Sequence, residues 1–261
     1  MIIDFHCHIY PSKIADKAAK NIGDFYNYPM RYHGHPEELL ASGSKISVTK
    51  YVILPVATKA EQVVHSNDFV IEQCNQHPQF IGFGTIHPEY EKYGDELMRI
   101  KDAGLCGIKL HSDFQKFPVD ATCMDSIYSL MTDLNLPLIV HAGDYRYDFS
   151  GPKRILNLHK KHPNLTLIAA HFGGYTEWDE SIKYLVGQDI YFDTSSTLEW
   201  IPVEKANKMI RAHGAEKFLF ATDFPMWDHE EELEKFNRLD LTGEEREAIL
   251  YKNAEKLLGL D

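Results

Sequence analysis

The chain has 261 residues, 44% of them hydrophobic and 25% charged, and its 39 acidic against 27 basic side chains give a net charge of −12. An acidic surface repels the phosphates of nucleic acid and of anionic membranes, so neither is expected as a partner, whereas an anionic small molecule stays open because a metal and a few cations can reverse the local field. The length suits one α/β barrel, an architecture of about 250 residues, as a single domain over 1–261.

Short apolar, β-branched runs predict eight strands over 2–8, 51–57, 80–87, 106–111, 137–142, 165–171, 190–195 and 218–223. Their near-continuous apolarity suits strands covered on both faces of a parallel sheet. Helical patterns fall between them at 59–76, 89–103, 124–134, 152–162, 177–186, 202–213 and 242–258. Ala103-Gly104 and His213-Gly214 read as glycine caps, and Pro152 and Pro202 fit first-turn positions. The long gap after the first strand makes 11–50 an insertion, expected as a loop over the mouth of a barrel, where it could act as a lid. Eight alternating units favour a (β/α)8 barrel or a doubly wound sheet. Met1-Ile2-Ile3-Asp4 lacks the basic start of a secretory signal, and no run of about 18 apolar residues exists, so a cytoplasmic protein with no span is expected. The cysteines Cys7, Cys74, Cys106 and Cys123 form no Cys-x-x-Cys pair and read as free, mostly buried thiols.

The first strand carries Asp4-Phe5-His6-Cys7-His8, which places Asp4, His6 and His8 on one face by the period of two. Two imidazoles so spaced can grip one ion, although an isolated His-x-His is a weak signal. Other strand ends strengthen it: His141 before Ala142-Gly143, His171 before Phe172-Gly173-Gly174, and Asp223 in Thr222-Asp223-Phe224-Pro225. In a barrel all such ends gather at one face, where active sites are built.

Taken together, Asp4-x-His6-x-His8, His141-Ala-Gly, His171-Phe-Gly-Gly, Thr-Asp223-Phe-Pro and the closing Tyr251–Gly259 segment resemble the amidohydrolase superfamily, in its branch of aminocarboxymuconate semialdehyde decarboxylase-like enzymes. The resemblance spans the chain. It implies one divalent metal, zinc or manganese, on His6, His8, His141 and Asp223. It also implies a catalytic role for His171, as general base or oxyanion stabiliser with a further metal-ligand role left open, a supporting hydrogen-bonding role for Asp4, and proton transfer by Asp223. Lys109 and His111 share a strand face. In two-metal relatives a carboxylated lysine at this place bridges both ions, so Lys109 is read as a holder of substrate carboxylate, as a structural ion pair, or as that bridge to a second metal. Lys109, His111 and Arg146 form the expected substrate-binding set. His65, His77, His159, His162, His213 and His229 read as surface residues. The expected activity is hydrolysis of a small carboxylate-bearing lactone, amide or ester through metal-activated water. The alternative is non-oxidative decarboxylation of an aromatic or unsaturated acid. Relatives often dimerise, which adds a homodimer to the expectations.

Overall fold

The computed structural model describes residues 1–260. Nine strands are present among them: β1 Ile3–Cys7, β2 Lys50–Ile53, β3 Phe80–Gly82, β4 Gly84–Thr85, β5 Ile108–Leu110, β6 Leu138–Val140, β7 Leu167–Ala169, β8 Tyr191–Asp193 and β9 Phe218–Leu219. Each expected apolar run holds a strand, except that β2 begins one residue before the 51–57 run, and the 80–87 run holds two, parted at Phe83. The Phe83 ring fills the space above Gly107, where a Cβ would approach it to 2.4 Å. The chain divides into two compact units, Met1–Ile53 with Thr194 onward, and Leu54–Asp193.

In the second unit β4 to β8 pair in chain order, all parallel, with Ile108, Leu138 and Leu167 in register. Every residue of β5, β6 and β7 is buried, as strands covered on both faces require. Helices Val63–Gln76, Tyr93–Asp102, Asp125–Asp133, Pro152–Lys161 and Trp178–Tyr184 fall inside the expected spans. Asn67 is buried and serves as a substitute strand neighbour: it accepts from the Thr85 N–H (2.7 Å) and donates to the Thr85 carbonyl (3.1 Å) and to Glu96 (2.6 Å). Gly104 ends its helix at φ +87°, as the cap pattern predicts.

In the first unit β1 lies parallel to β2, with a register shift between Asp4 and Cys7. On its other side the Phe5 and His8 N–H groups donate to the Phe220 and Phe224 carbonyls (2.9 and 2.7 Å). The insertion is not one loop. It holds helices Ala15–Tyr26 and Pro36–Ser44, the second with proline in its first turn and the Glu38 carboxylate accepting the His33, Gly34 and His35 N–H groups. Its connecting segment is tied down, since the Arg31 and Tyr32 N–H groups both donate to the Pro225 carbonyl (3.2 and 3.0 Å) and Tyr32 stacks on Phe224. The expected closing helix is broken by a π turn, Ala248–Lys252, within which the Ile249 carbonyl accepts the Phe220 N–H (2.9 Å). No helix among the described residues is long and apolar enough to cross a membrane. The four cysteines are free, but only Cys7 is fully buried; Cys123 is exposed, contrary to the expectation of mostly buried thiols.

The turn after β6 shows how close approach fixes residue choice. Gly143 has φ +84°, and a Cβ there would meet the Tyr175 carbonyl at 2.5 Å and amide nitrogen at 2.6 Å, backbone that cannot swing aside. Gly104 shares the positive φ but faces open space. G143A should therefore lower unfolding free energy by roughly 3 kcal/mol and G104A by about 1. Equal losses in urea melts would contradict this packing.

Candidate metal centre

In the first unit the end of β1 and the turn after β9 bring His6, His8 and Asp223 together. His8 sits one residue beyond the strand. The two Nε2 atoms are 3.1 Å apart, and Asp223 Oδ1 lies 3.6 Å from His6 and 3.4 Å from His8. Ligand atoms about 2.1 Å from a shared ion at tetrahedral angles lie about 3.4 Å from one another. Two imidazole nitrogens and one carboxylate oxygen at this spacing fit a divalent cation in both distance and donor type.

A buried scaffold holds these groups. The Asp4 carboxylate accepts the His6 N–H (3.1 Å), the Thr222 N–H (3.0 Å) and the Thr222 hydroxyl (2.5 Å), and its Oδ2 lies 3.0 Å from His229 Nε2. Ser195 Oγ lies 3.2 Å from His6 Nδ1, turning Nε2 toward the cluster. Asp223 adopts φ +64°, a conformation that non-glycine residues keep only where surroundings impose it. His229, expected on the surface, is fully buried between Asp4 and Ser42 (2.8 Å). His213 is also buried, edge-on to Phe218. In both cases tertiary packing overrides a polar local sequence.

Beside this cluster stands an aromatic group, Tyr28, Trp200 and Trp227, with ring centroids 5.0 to 5.9 Å apart. Lys235 Nζ lies 4.1 Å over the Trp227 ring and pairs with Glu232 (2.7 Å) and Glu199 (3.0 Å).

The second unit gathers another set. His171 Nε2 and His141 Nδ1 are 3.0 Å apart, so one carries the proton the other accepts. His141 Nε2 lies 3.6 Å from Asp113 Oδ2, and its ring stacks on His111 at 4.0 Å, which in turn stacks on Phe114. His171 has φ +61° and is held by its N–H, which donates to Asp193 (2.8 Å), and by its carbonyl, which accepts the Trp178 indole N–H (3.1 Å). Burial, and next the like charge of Asp144, push the Asp113 carboxyl up to about 7. Lys109 is fully buried in β5. Arg146 is forked onto Asp144, with contacts of 2.6 to 3.2 Å, a geometry that commits much of its charge within the protein.

Of the four expected ligands, His6, His8 and Asp223 thus converge within the first unit, while His141 belongs to the second with His171 and His111. Sequence reasoning missed Asp113, Ser196 and the burial of His229. An acid two residues after His111, at the end of an apolar strand run, is a usable signal for Asp113; nothing local marks the other two.

The chain belongs to the amidohydrolase family, whose model matches residues 3–260. It is similar in structure to 2,6-dihydroxybenzoate decarboxylase from Rhizobium, at 18% identity and a TM-score of 0.76 over 100% of this chain and 99% of that one. It is also similar to the manganese complex of 5-carboxyvanillate decarboxylase from Novosphingobium aromaticivorans, at 18% identity and a TM-score of 0.79 over 100% and 96%. A probable 2-pyrone-4,6-dicarboxylic acid hydrolase from Acinetobacter baumannii matches at 17% identity and a TM-score of 0.74 over 99% of both chains. These likenesses, with the parallel β/α pattern, identify the fold as a (β/α)8 barrel.

Two outcomes follow from this geometry. D4N replaces a buried acceptor with a group that also donates, facing donors, and should lower stability by roughly 3 kcal/mol in denaturant melts; a loss under 1 would contradict the scaffold role. Burial pushes Glu232 up to about 7 from its ordinary 4.5, against the pull of Lys235. The unfolded chain then ionises first, so the contribution of this group is present below pH 4.5 and is lost as pH rises toward 7. The stability difference between wild type and E232Q should shrink by up to about 3 kcal/mol across that window; a pH-independent difference would contradict it.

Proposed function

We propose that this protein is a divalent-metal-dependent hydrolase of a small carboxylate-bearing lactone, amide or ester. The observation that carries the reading is the His6, His8 and Asp223 cluster, three donor atoms 3.1 to 3.6 Å apart on a buried scaffold. The sequence pattern adds His141 as a fourth ligand, and zinc or manganese suits the donors. A cation held there supplies Lewis acidity and makes water nucleophilic near neutral pH.

The protein groups then have distinct tasks. Asp223, with a carboxylate turned to the cluster, accepts a proton from the attacking water and returns it to the leaving group. His171, fixed through its own backbone, offers a ring nitrogen as proton donor or acceptor. Lys109 and His111 are the proposed holders of a substrate carboxylate; Arg146 joins them only by loosening its fork on Asp144.

A second reading, non-oxidative decarboxylation, is favoured by the two structural relatives that are decarboxylases of hydroxylated aromatic acids. In that case His171 delivers the proton that replaces carbon dioxide. The relatives named for either reaction act on planar, unsaturated carboxylic acids, so the same substrate panel serves both readings.

Chelator-stripped protein should lose turnover of that panel and regain it with zinc or manganese; turnover unchanged by stripping would end the metal-dependent reading. Carbon dioxide release from aromatic acids, without ring opening of pyrone or lactone acids, would favour the second reading over the first. H171N should reduce kcat by about 10²- to 10⁴-fold with metal content unchanged. Metal loss in H171N would instead make His171 a ligand.

A further inference from the structure

Between β8 and the helix Val203–His213 the chain runs through Ser195 and Ser196. Ser196 takes no part in the roles assigned above, yet it touches the candidate metal cluster. Its Oγ lies 2.5 Å from Asp223 Oδ2 and 2.9 Å from the Trp227 indole nitrogen. The direction of these bonds follows from chemistry. An indole N–H only donates, so it occupies a lone pair of Ser196 Oγ. The single serine proton is then available to Asp223 Oδ2, the alternative being Met226 Sδ at 3.7 Å, a weak acceptor. A hydroxyl bound to Oδ2 turns Oδ1, the atom 3.4 to 3.6 Å from the two histidine nitrogens, toward the cluster.

Two further observations show that this bond is imposed by its surroundings. Ser196 has φ +45° and Asp223 has φ +64°, so both partners hold backbone conformations that are costly for residues with a Cβ. Trp227 is itself fixed: it is buried, it lies under Lys235, and Lys235 is anchored by Glu232 and Glu199. A continuous run of contacts thus leads from Lys235 through the indole and the hydroxyl to the carboxylate.

We infer that Ser196, aligned by Trp227, is a positioning residue that selects which Asp223 oxygen binds the cation and sets the affinity of the site. The inference rests on the metal reading above and adds a residue to it that the motifs do not mark.

The test is titration of metal-free wild type, S196A, S196G and W227F with manganese and with zinc against a chromophoric chelator, together with the melting temperature of each metal-free protein. S196A should keep one equivalent of metal but bind it about 10- to 100-fold more weakly. W227F keeps an aromatic face but loses the five-membered ring with its N–H, and should weaken binding by about 3- to 10-fold, its metal-free melting temperature reporting the lost packing separately. S196G is the discriminating variant. Loss of the hydroxyl weakens the metal, whereas relief of the positive φ keeps or raises the metal-free melting temperature. A merely structural serine would move the two readouts together. Wild-type affinity in S196A and S196G, with metal lost in H6A/H8A, would overturn the positioning role and leave the metal site standing. Wild type that binds neither metal would overturn the metal reading, and this inference with it.

Discussion

A single buried carboxylate organises the first unit. Asp4 accepts two backbone N–H groups and one hydroxyl and stands beside the His229 ring, so four groups from β1, the turn after β9 and the helix His229–Asn237 meet on its two oxygens. Burying a carboxylate is expensive unless hydrogen bonds replace water, and here they do so completely enough to make the group a fastener. Because its donors include the His6 N–H and Thr222, the same bonds that satisfy Asp4 also set the backbone on either side of the candidate ligands His6, His8 and Asp223.

The second recurring device is backbone strain placed at strand ends. Asp223 after β9, His171 and Phe172 after β7, Asp144 after β6 and Ser196 after β8 all have positive φ without being glycine. Such conformations persist where neighbouring contacts outweigh their cost, and they concentrate where side chains must be aimed. At His171 the restraints are visible as the Asp193 and Trp178 hydrogen bonds; at Asp223 they are the Ser196 hydroxyl and the His6 carbonyl, which accepts the Asp223 N–H.

Much of this was legible in the sequence because strand ends announce themselves. An apolar run stopping at His141, His171 or Asp223 states both the element and the place where its polar residue emerges. The insertion's helices leave short signals only: Ala15, Ala18, Ala19, Ile22 and Phe25 recur at helical spacing, a stripe made mostly of small alanines that an insertion read as one loop overlooks, and Pro36 with Glu38 marks the start of the second helix. Asp228-His229-Glu230-Glu231-Glu232 has the composition of a solvated helix start and so puts His229 at the surface, whereas its burial is set by Asp4 and Ser42, far away in sequence. Ser196 follows directly on the expected strand 190–195 with no motif of its own, and its importance depends on Trp227 and Asp223, which the fold alone brings to it.

On the proposed function, one cation rests on His6, His8 and Asp223. Anomalous diffraction at the manganese edge, from crystals grown with manganese, tests it most directly. A single strong peak is expected within about 2.3 Å of both Nε2 atoms and of Asp223 Oδ1. A peak elsewhere in the protein, or none with these three residues ordered, would contradict it.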